Sequence, residues 1–151
     1  MDSTDFQKAK GYVLRLLKLR PRTRLECLQK MAVRKIPPDV ALEVVGSLES
    51  SGLVDDSAFS RLWLQSRLSR YGMRRLVREL EQKGISREQI ALSGYPDQAD
   101  YDEIAVARRI AQKRSGVYKG VDPLKQKKRL SDYLIRRGFS QQTINQVLKD
   151  I

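Results

Sequence analysis

Histidine is absent from this 151-residue chain, and with it go the commonest general base and the commonest nitrogen ligand for a metal. There is a single cysteine, Cys27, so neither an internal disulfide nor a zinc site of the usual nitrogen and sulfur kind can be assembled. Cys27 falls at a place where an apolar residue is expected every fourth position, which reads as a small buried side chain rather than a redox group. Long apolar runs are missing, so no transmembrane helix and no secretory hydrophobic segment is expected, and the chain is expected to be cytoplasmic. No stretch alternates polar and apolar for long enough to argue a strand. The glycine-rich phosphate loop, the dinucleotide fingerprint and the nucleophile elbow are all absent. No enzyme and no cofactor is expected. The adjacent carboxylates Asp55 and Asp56 invite a cation, but their position between Gly52 and a fresh amphipathic stretch favours helix capping.

What the chain has is a repeated phrase. Leu76, Leu80, Lys83, Gly84, Ile85, Ser86 and Ile90 recur 54 positions later as Leu130, Leu134, Arg137, Gly138, Phe139, Ser140 and Ile144. Each copy reads as an amphipathic helix with apolar residues four apart, a basic last turn, a glycine stop, an apolar residue packed across the break and a serine that caps the next helix. A fainter copy lies upstream in Thr23, Cys27, Met31, Lys35, Ile36 and Ala41, where the glycine is missing and Pro37 and Pro38 open the following helix.

The chain therefore reads as all-α, a tandem array of three three-helix repeats covering residues 1–54, 55–98 and 99–151. It is expected to form an elongated, slightly curved, solenoid-like monomer. Expected helices run from Phe6 to Leu19, Thr23 to Lys35 and Pro38 to Ser51 in the first unit. In the second they begin after Asp55, Asp56 and Ser57 and continue with Gly72 to Gln82 and a short Arg87 to Leu92. The third unit starts near Ala99, carries a stripe of Ile104, Ala107, Ile110 and Ala111, passes a loop from Gly116 to Pro123, and ends with Lys125 to Arg137 and Gln141 to Ile151. In the second unit Phe59, Leu62, Trp63 and Ser66 share one helical face, which assigns Trp63 to the core rather than to stacking on a base.

Thirty basic residues against eighteen acidic ones leave a net charge of +12 and a pI near 10. The three units carry ten basic and six acidic, eight and six, and twelve and six residues, so half of the excess lies in the last third. On a helical wheel with Leu134 inward, Lys125, Arg129 and Arg136 fall on the opposite face with Lys128 beside them. Arg74, Arg75 and Arg78 lie opposite Met73, Leu76, Val77 and Leu80 in the equivalent helix, where Glu79 and Glu81 dilute the charge and Glu79 is spaced to pair with Lys83. A single such stripe is an ordinary solvated face. Two in register on a chain of this pI point to a polyanion or a nucleoprotein lattice. Arg70, Lys113, Arg114 and Arg137 extend the candidate surface.

Four segments resemble a known family. Gly52, Leu53, Val54, Asp55, Asp56 and Phe59 resemble its G-[YL]-[LV]-D-D-x-x-F signature, and Arg22 with Thr23 resembles its opening R-S-x-x-E-L element. Tyr71 and Gly72 followed by the Leu76 to Ser86 phrase resemble its central segment, and Arg136, Arg137, Gly138, Phe139 and Ser140 resemble its terminal R-G-[FY]-S. The family is RecX, regulatory proteins of the recombinase RecA. The glycine usual after the first unit's second helix is replaced by Ile36 and Pro37, and Cys27 and Met31 stand where leucines are usual.

The resemblance implies a non-enzymatic modulator that binds the groove of the RecA filament on single-stranded DNA and restrains its extension, ATP hydrolysis and strand exchange. It would act in DNA repair, recombination and the SOS response. The basic composition leaves duplex DNA open as an alternative nucleic-acid partner, and the lack of apolar runs argues against a membrane. The rival reading is a direct helix-turn-helix DNA reader, with Gly138 as the turn glycine and Gln141, Gln142, Asn145 and Gln146 on the recognition helix. Against it, Leu134 occupies the place where helices cross closely and alanine is usual, and the second copy has Ser93 at a place that wants an apolar residue.

Overall fold

The computed structural model describes residues 3–96 and 101–150, and every regular element among them is helical. The expected start of the third unit near Ala99 and the expected end of the last helix at Ile151 lie outside the described residues. In chain order the helices are α1 (Ser3–Leu19), α2 (Arg24–Val33), α3 (Pro38–Ser50), α4 (Asp56–Arg67), α5 (Met73–Gln82), α6 (Arg87–Leu92), α7 (Glu103–Ser115), α8 (Pro123–Arg136) and α9 (Gln141–Lys149), with a short 3-10 turn over Gly116–Tyr118.

Helix ends follow the chemistry of their flanking residues. Thr23 caps α2 by accepting from the Glu26 backbone N–H at 3.2 Å, while the Glu26 carboxylate accepts from the Thr23 N–H at 3.0 Å. Ser86 and Gln89 form the same reciprocal pair at the start of α6, and Ser140 caps α9 through the Thr143 N–H. Each such cap contributes about 1 kcal/mol.

The helix stops of the repeated phrase are also alike. Gly84 and Gly138 take φ of +90° and +94°. The N–H of the following residue, Ile85 or Phe139, reaches back to the carbonyl of Leu80 or Leu134 at 3.0 and 3.1 Å. In the first copy Lys35, not Ile36 or Pro37, takes the glycine place: its φ is +59°, and the Ile36 N–H bonds the Met31 carbonyl at 3.0 Å. The turn is therefore the same in all three copies, built once on a residue that bears the left-handed strain.

Packing divides the chain into two compact units, residues 1–61 with 80–93, and residues 62–79 with 94–151. The residues of the second expected repeat are shared between them. In the first unit, α1, α2 and α3 enclose Val13, Cys27, Met31, Val44, Val45 and Leu48. The turn after α5 docks on the start of α2: the Thr23 hydroxyl donates to the Lys83 carbonyl at 2.7 Å, and the Lys83 ammonium lies 3.3 Å from Glu26. In the second unit α7, α8 and α9 enclose Ala107, Ala111, Leu130, Leu134, Phe139, Ile144 and Val147. There the turn after α8 docks on the start of α5, where the N–H groups of Gly72 and Arg74 donate to the carbonyls of Arg137 and Gly138 at 2.7 and 3.1 Å.

Both docking joints use glycine for closeness as well as for φ. A Cβ on Gly84 would lie 2.5 Å from the Leu25 Cβ, and one on Gly138 would lie 2.2 Å from the Arg75 Cβ. Lys35 is exposed, so its side chain meets no such barrier. The paired family-like segments, Arg22 to Glu26 with Lys83 to Ser86 and Tyr71 to Arg75 with Arg137 to Ser140, are thus the two sides of one joint used twice.

Three side chains depart from expectation. Leu62 is 57% exposed, and the inward face of α4 is Phe59, Ser60 and Leu64, followed by Leu68 just past the helix end. Trp63 is half-buried, with its indole N–H donating to Glu79 at 3.0 Å and the Arg67 guanidinium over its ring at 3.5 Å. Glu79 pairs with Arg75 at 3.1 Å rather than with Lys83.

Candidate functional site

Asp55 and Asp56 divide their labour. Asp55 accepts from the Ala58 N–H at 3.1 Å and so caps α4, whereas Asp56 accepts from the Arg24 N–H at 2.9 Å and so ties α4 to the start of α2. Burial raises the pKa of Asp56, and the hydrogen bond from Arg24 offsets this only in part. Among the described residues no cluster of carboxylate, histidine or cysteine side chains has the makings of a metal site. Burial, followed by the nearby Glu26 charge, pushes the Cys27 thiol up to about 11, so it stays protonated at neutral pH.

The positive surface has more structure than the helical wheel predicts. In the second unit, Arg70, Arg109, Lys113, Arg114 and Arg137 line an open groove of about 700 Å³ together with Ser69, Ile110, Val117 and Tyr133. α7 supplies Arg109, Lys113 and Arg114, the turn before α5 supplies Arg70, and the end of α8 supplies Arg137. The docked joint brings these three segments together.

The groove's arginines are held by neutral acceptors. Arg109 donates to the Ser69 carbonyl at 2.8 Å, Arg70 to the Ser66 carbonyl at 3.4 Å, and Arg137 to the Arg70 carbonyl at 3.3 Å. Arg137 also makes two bonds to the Tyr133 hydroxyl, at 3.1 and 2.8 Å, and its guanidinium lies 4.9 Å from the Tyr71 ring centre. Arg114 sits 4.5 Å above the Tyr133 ring and donates to the Tyr118 hydroxyl at 3.3 Å, a bond that raises its pKa further. Elsewhere arginines meet carboxylates: Arg20 with Glu26, Arg24 with Glu49, Arg75 with Glu79, Arg87 with Glu81 and Arg108 with Asp150. Among the described residues none of the five groove cations has such a partner; the four arginines are oriented by tyrosines and carbonyls without being neutralised, and Lys113 adds an exposed charge on α7.

The other expected site residues fall into two groups. Lys125, Lys128, Arg129 and Arg136 are exposed along α8, and Arg74 and Arg78 are exposed on α5. Arg75 leaves the expected stripe: it is half-buried, paired with Glu79, stacked 4.1 Å from Tyr71 and bonded to the Arg136 carbonyl. Its place opposite the start of the Gly138 turn turns it inward. Gly52, Phe59, Gly84, Gly138 and Phe139 are architectural, with Phe59 and Phe139 buried. Arg109 escaped the sequence reading, although its spacing of four from Lys113 was a usable signal for one shared helix face.

These features define a tandem three-helix-repeat protein with an unneutralised, tyrosine-braced cationic groove. Family models described as the first, second and third three-helix domains of RecX match residues 9–48, 55–92 and 100–148. The chain belongs to the RecX family. It is 33% identical over 137 residues to the regulatory protein RecX of Streptomyces coelicolor, covering 89% of this chain and 72% of that one. It is 38% identical over 141 residues to the regulatory protein RecX of a Mycobacterium species, strain KMS, covering 89% and 76%. The crystal structure of RecX from Lactobacillus salivarius superposes with a TM-score of 0.85 at 20% identity over 99% of this chain and 97% of that one, a likeness of fold.

Among the described residues no helix is long and apolar enough to cross a membrane.

Proposed function

We propose that this chain is a cytoplasmic, monomeric, non-enzymatic modulator of the RecA recombinase, acting in DNA repair, recombination and the SOS response. It binds the groove of the recombinase filament on single-stranded DNA and restrains ATP hydrolysis, filament extension and strand exchange. The three repeats over residues 1–54, 55–98 and 99–151 form the array that lies in that groove. The single observation that carries the reading is the succession of three RecX-type domains over most of the chain. The cationic groove and the exposed basic face of α8 support it, because they offer phosphates and acidic protein surface a positive field.

Two observations weigh against the helix-turn-helix reading. The Gly138 turn is spent on the joint with α5, and the amides of Gln141 and Asn145 bond one another at 2.8 Å instead of standing free to read adenine.

Co-sedimentation with recombinase assembled on single-stranded DNA tests the proposal. The chain is expected to pellet with the assembled filament and far less with recombinase lacking DNA. Equal recovery with and without DNA contradicts filament recognition.

A further inference from the structure

The groove between α7, the turn before α5 and the end of α8 has a composition that narrows its ligand beyond the functional reading on which this inference rests. Five cations line it and no carboxylate does. Apolar Ile110 and Val117 share its wall, a surface suited to a sugar rather than to a second charge. No asparagine or glutamine is present to read an adenine edge, and the arginines that could fork onto guanine already spend donors on Ser69, Tyr118 and Tyr133; Tyr133, the aromatic residue in the wall, is itself engaged, with Arg114 over its ring and Arg137 at its hydroxyl. Strands are usually held on open aromatic platforms on which bases stack. Here the aromatic group braces guanidinium groups instead.

Preorganised guanidinium donors suit phosphate oxygens, which accept paired N–H bonds. We propose that this groove binds consecutive phosphates of a single nucleic-acid strand through Arg70, Arg109, Lys113 and Arg114, and leaves the bases unread. Arg137 acts as a positioning residue, since its donors are taken up by Tyr133 and the Arg70 carbonyl. Binding is therefore independent of sequence, and it is carried by charge and spacing.

The test uses the full chain and a fluorescent oligothymidylate, with an abasic deoxyribose phosphate oligomer of equal length, inorganic tripolyphosphate and ATP as competitors. The abasic oligomer is expected to compete as well as unlabelled oligothymidylate, and tripolyphosphate and ATP far less at equal phosphate concentration. The double variant Arg109→Gln with Lys113→Gln is expected to bind roughly tenfold more weakly. Its plot of log affinity against log salt is expected to flatten by about 1.4, two phosphate contacts at ~0.7 each. Arg109→Lys keeps the charge without the paired donors, so it is expected to lose part of the affinity while keeping the parent's salt slope; a slope flattened as in the double variant would contradict a phosphate contact at this position. Lys18→Gln with Lys30→Gln removes equal charge from exposed sites outside the groove and is expected to leave binding unchanged.

An unaltered double variant, or an equal loss in the control pair, overturns the site. Failure of the abasic oligomer to compete overturns base-independent recognition. Displacement by tripolyphosphate or ATP as effective as by the strand assigns the groove to a free phosphate chain instead. Strand binding is scored without the recombinase, so a chain that binds the strand as described but leaves recombinase activity untouched sustains the groove while removing the functional reading.

Discussion

Gly138 shows how much a single position carries. Its φ of +94° alone would charge an alanine about 1–2 kcal/mol, and its missing Cβ leaves the 2.2 Å approach to Arg75 open. Gly52 provides the comparison, with φ of +79° and nothing within 4 Å of a built Cβ. Gly138→Ala is expected to lower stability by the strain plus roughly 1–3 kcal/mol of overpacking, whereas Gly52→Ala is expected to show the strain alone. Denaturant unfolding of both variants checks this, and equal losses would contradict the close joint. The left-handed turn was legible in the sequence from the phrase Lys-Gly-Ile-Ser and its copy. The close approach was not, because the Arg75 that meets Gly138 lies 63 positions away and nothing local marks it.

At the scale of elements, the α2 start is a small electrostatic assembly. Burial opposes ionisation of Glu26, yet hydrogen bonds from Arg20 and the Thr23 N–H, with the charges of Lys83 and Arg20, outweigh it and lower the pKa below the ordinary 4.5. The stability Glu26 contributes is therefore complete above 4.5 and is lost as pH falls through the lower folded-state value. Asp56 works the other way, because its raised pKa makes ionisation a cost that acidification relieves. Glu26→Gln is expected to be less stable than the parent at neutral pH and to lose less on acidification below pH 4.5, measured by thermal unfolding across that range; identical pH profiles would contradict the assignment. Helix positions were largely readable from apolar spacing, capping residues and proline breaks. The differences lie where tertiary contacts override a wheel: Leu62 turns outward on α4, and Arg75 turns inward against the Gly138 turn and the Arg136 carbonyl. The α2 stop was also misplaced, since Lys35 is an unusual residue for a left-handed turn and only its φ of +59° identifies it.

For the molecule as a whole, the net charge of +12 raised the expectation of a polyanionic partner, but the arrangement of that charge was only half visible. The α8 stripe follows from helical periodicity within one segment. The groove joins residues from three segments, so Arg109 entered only once the joint had formed. If the exposed α8 face contributes to binding, reversing Lys125, Arg129 and Arg136 together is expected to preserve helix content and to flatten the salt dependence of single-strand binding by about 2, three contacts at ~0.7 each. Reversing Lys18, Lys30 and Lys149 lowers net charge equally and is expected to change it little. Equal effects in the two variants would reduce the attraction to diffuse charge.

The measurement closest to the central claim is the rate of ATP hydrolysis by the recombinase on single-stranded DNA as the chain is added. The rate is expected to fall at amounts near or below one chain per recombinase protomer and to keep falling toward saturation, as it would if each bound chain restrained a stretch of filament. An unchanged rate at saturating chain, with recombinase and DNA confirmed active, would contradict the account.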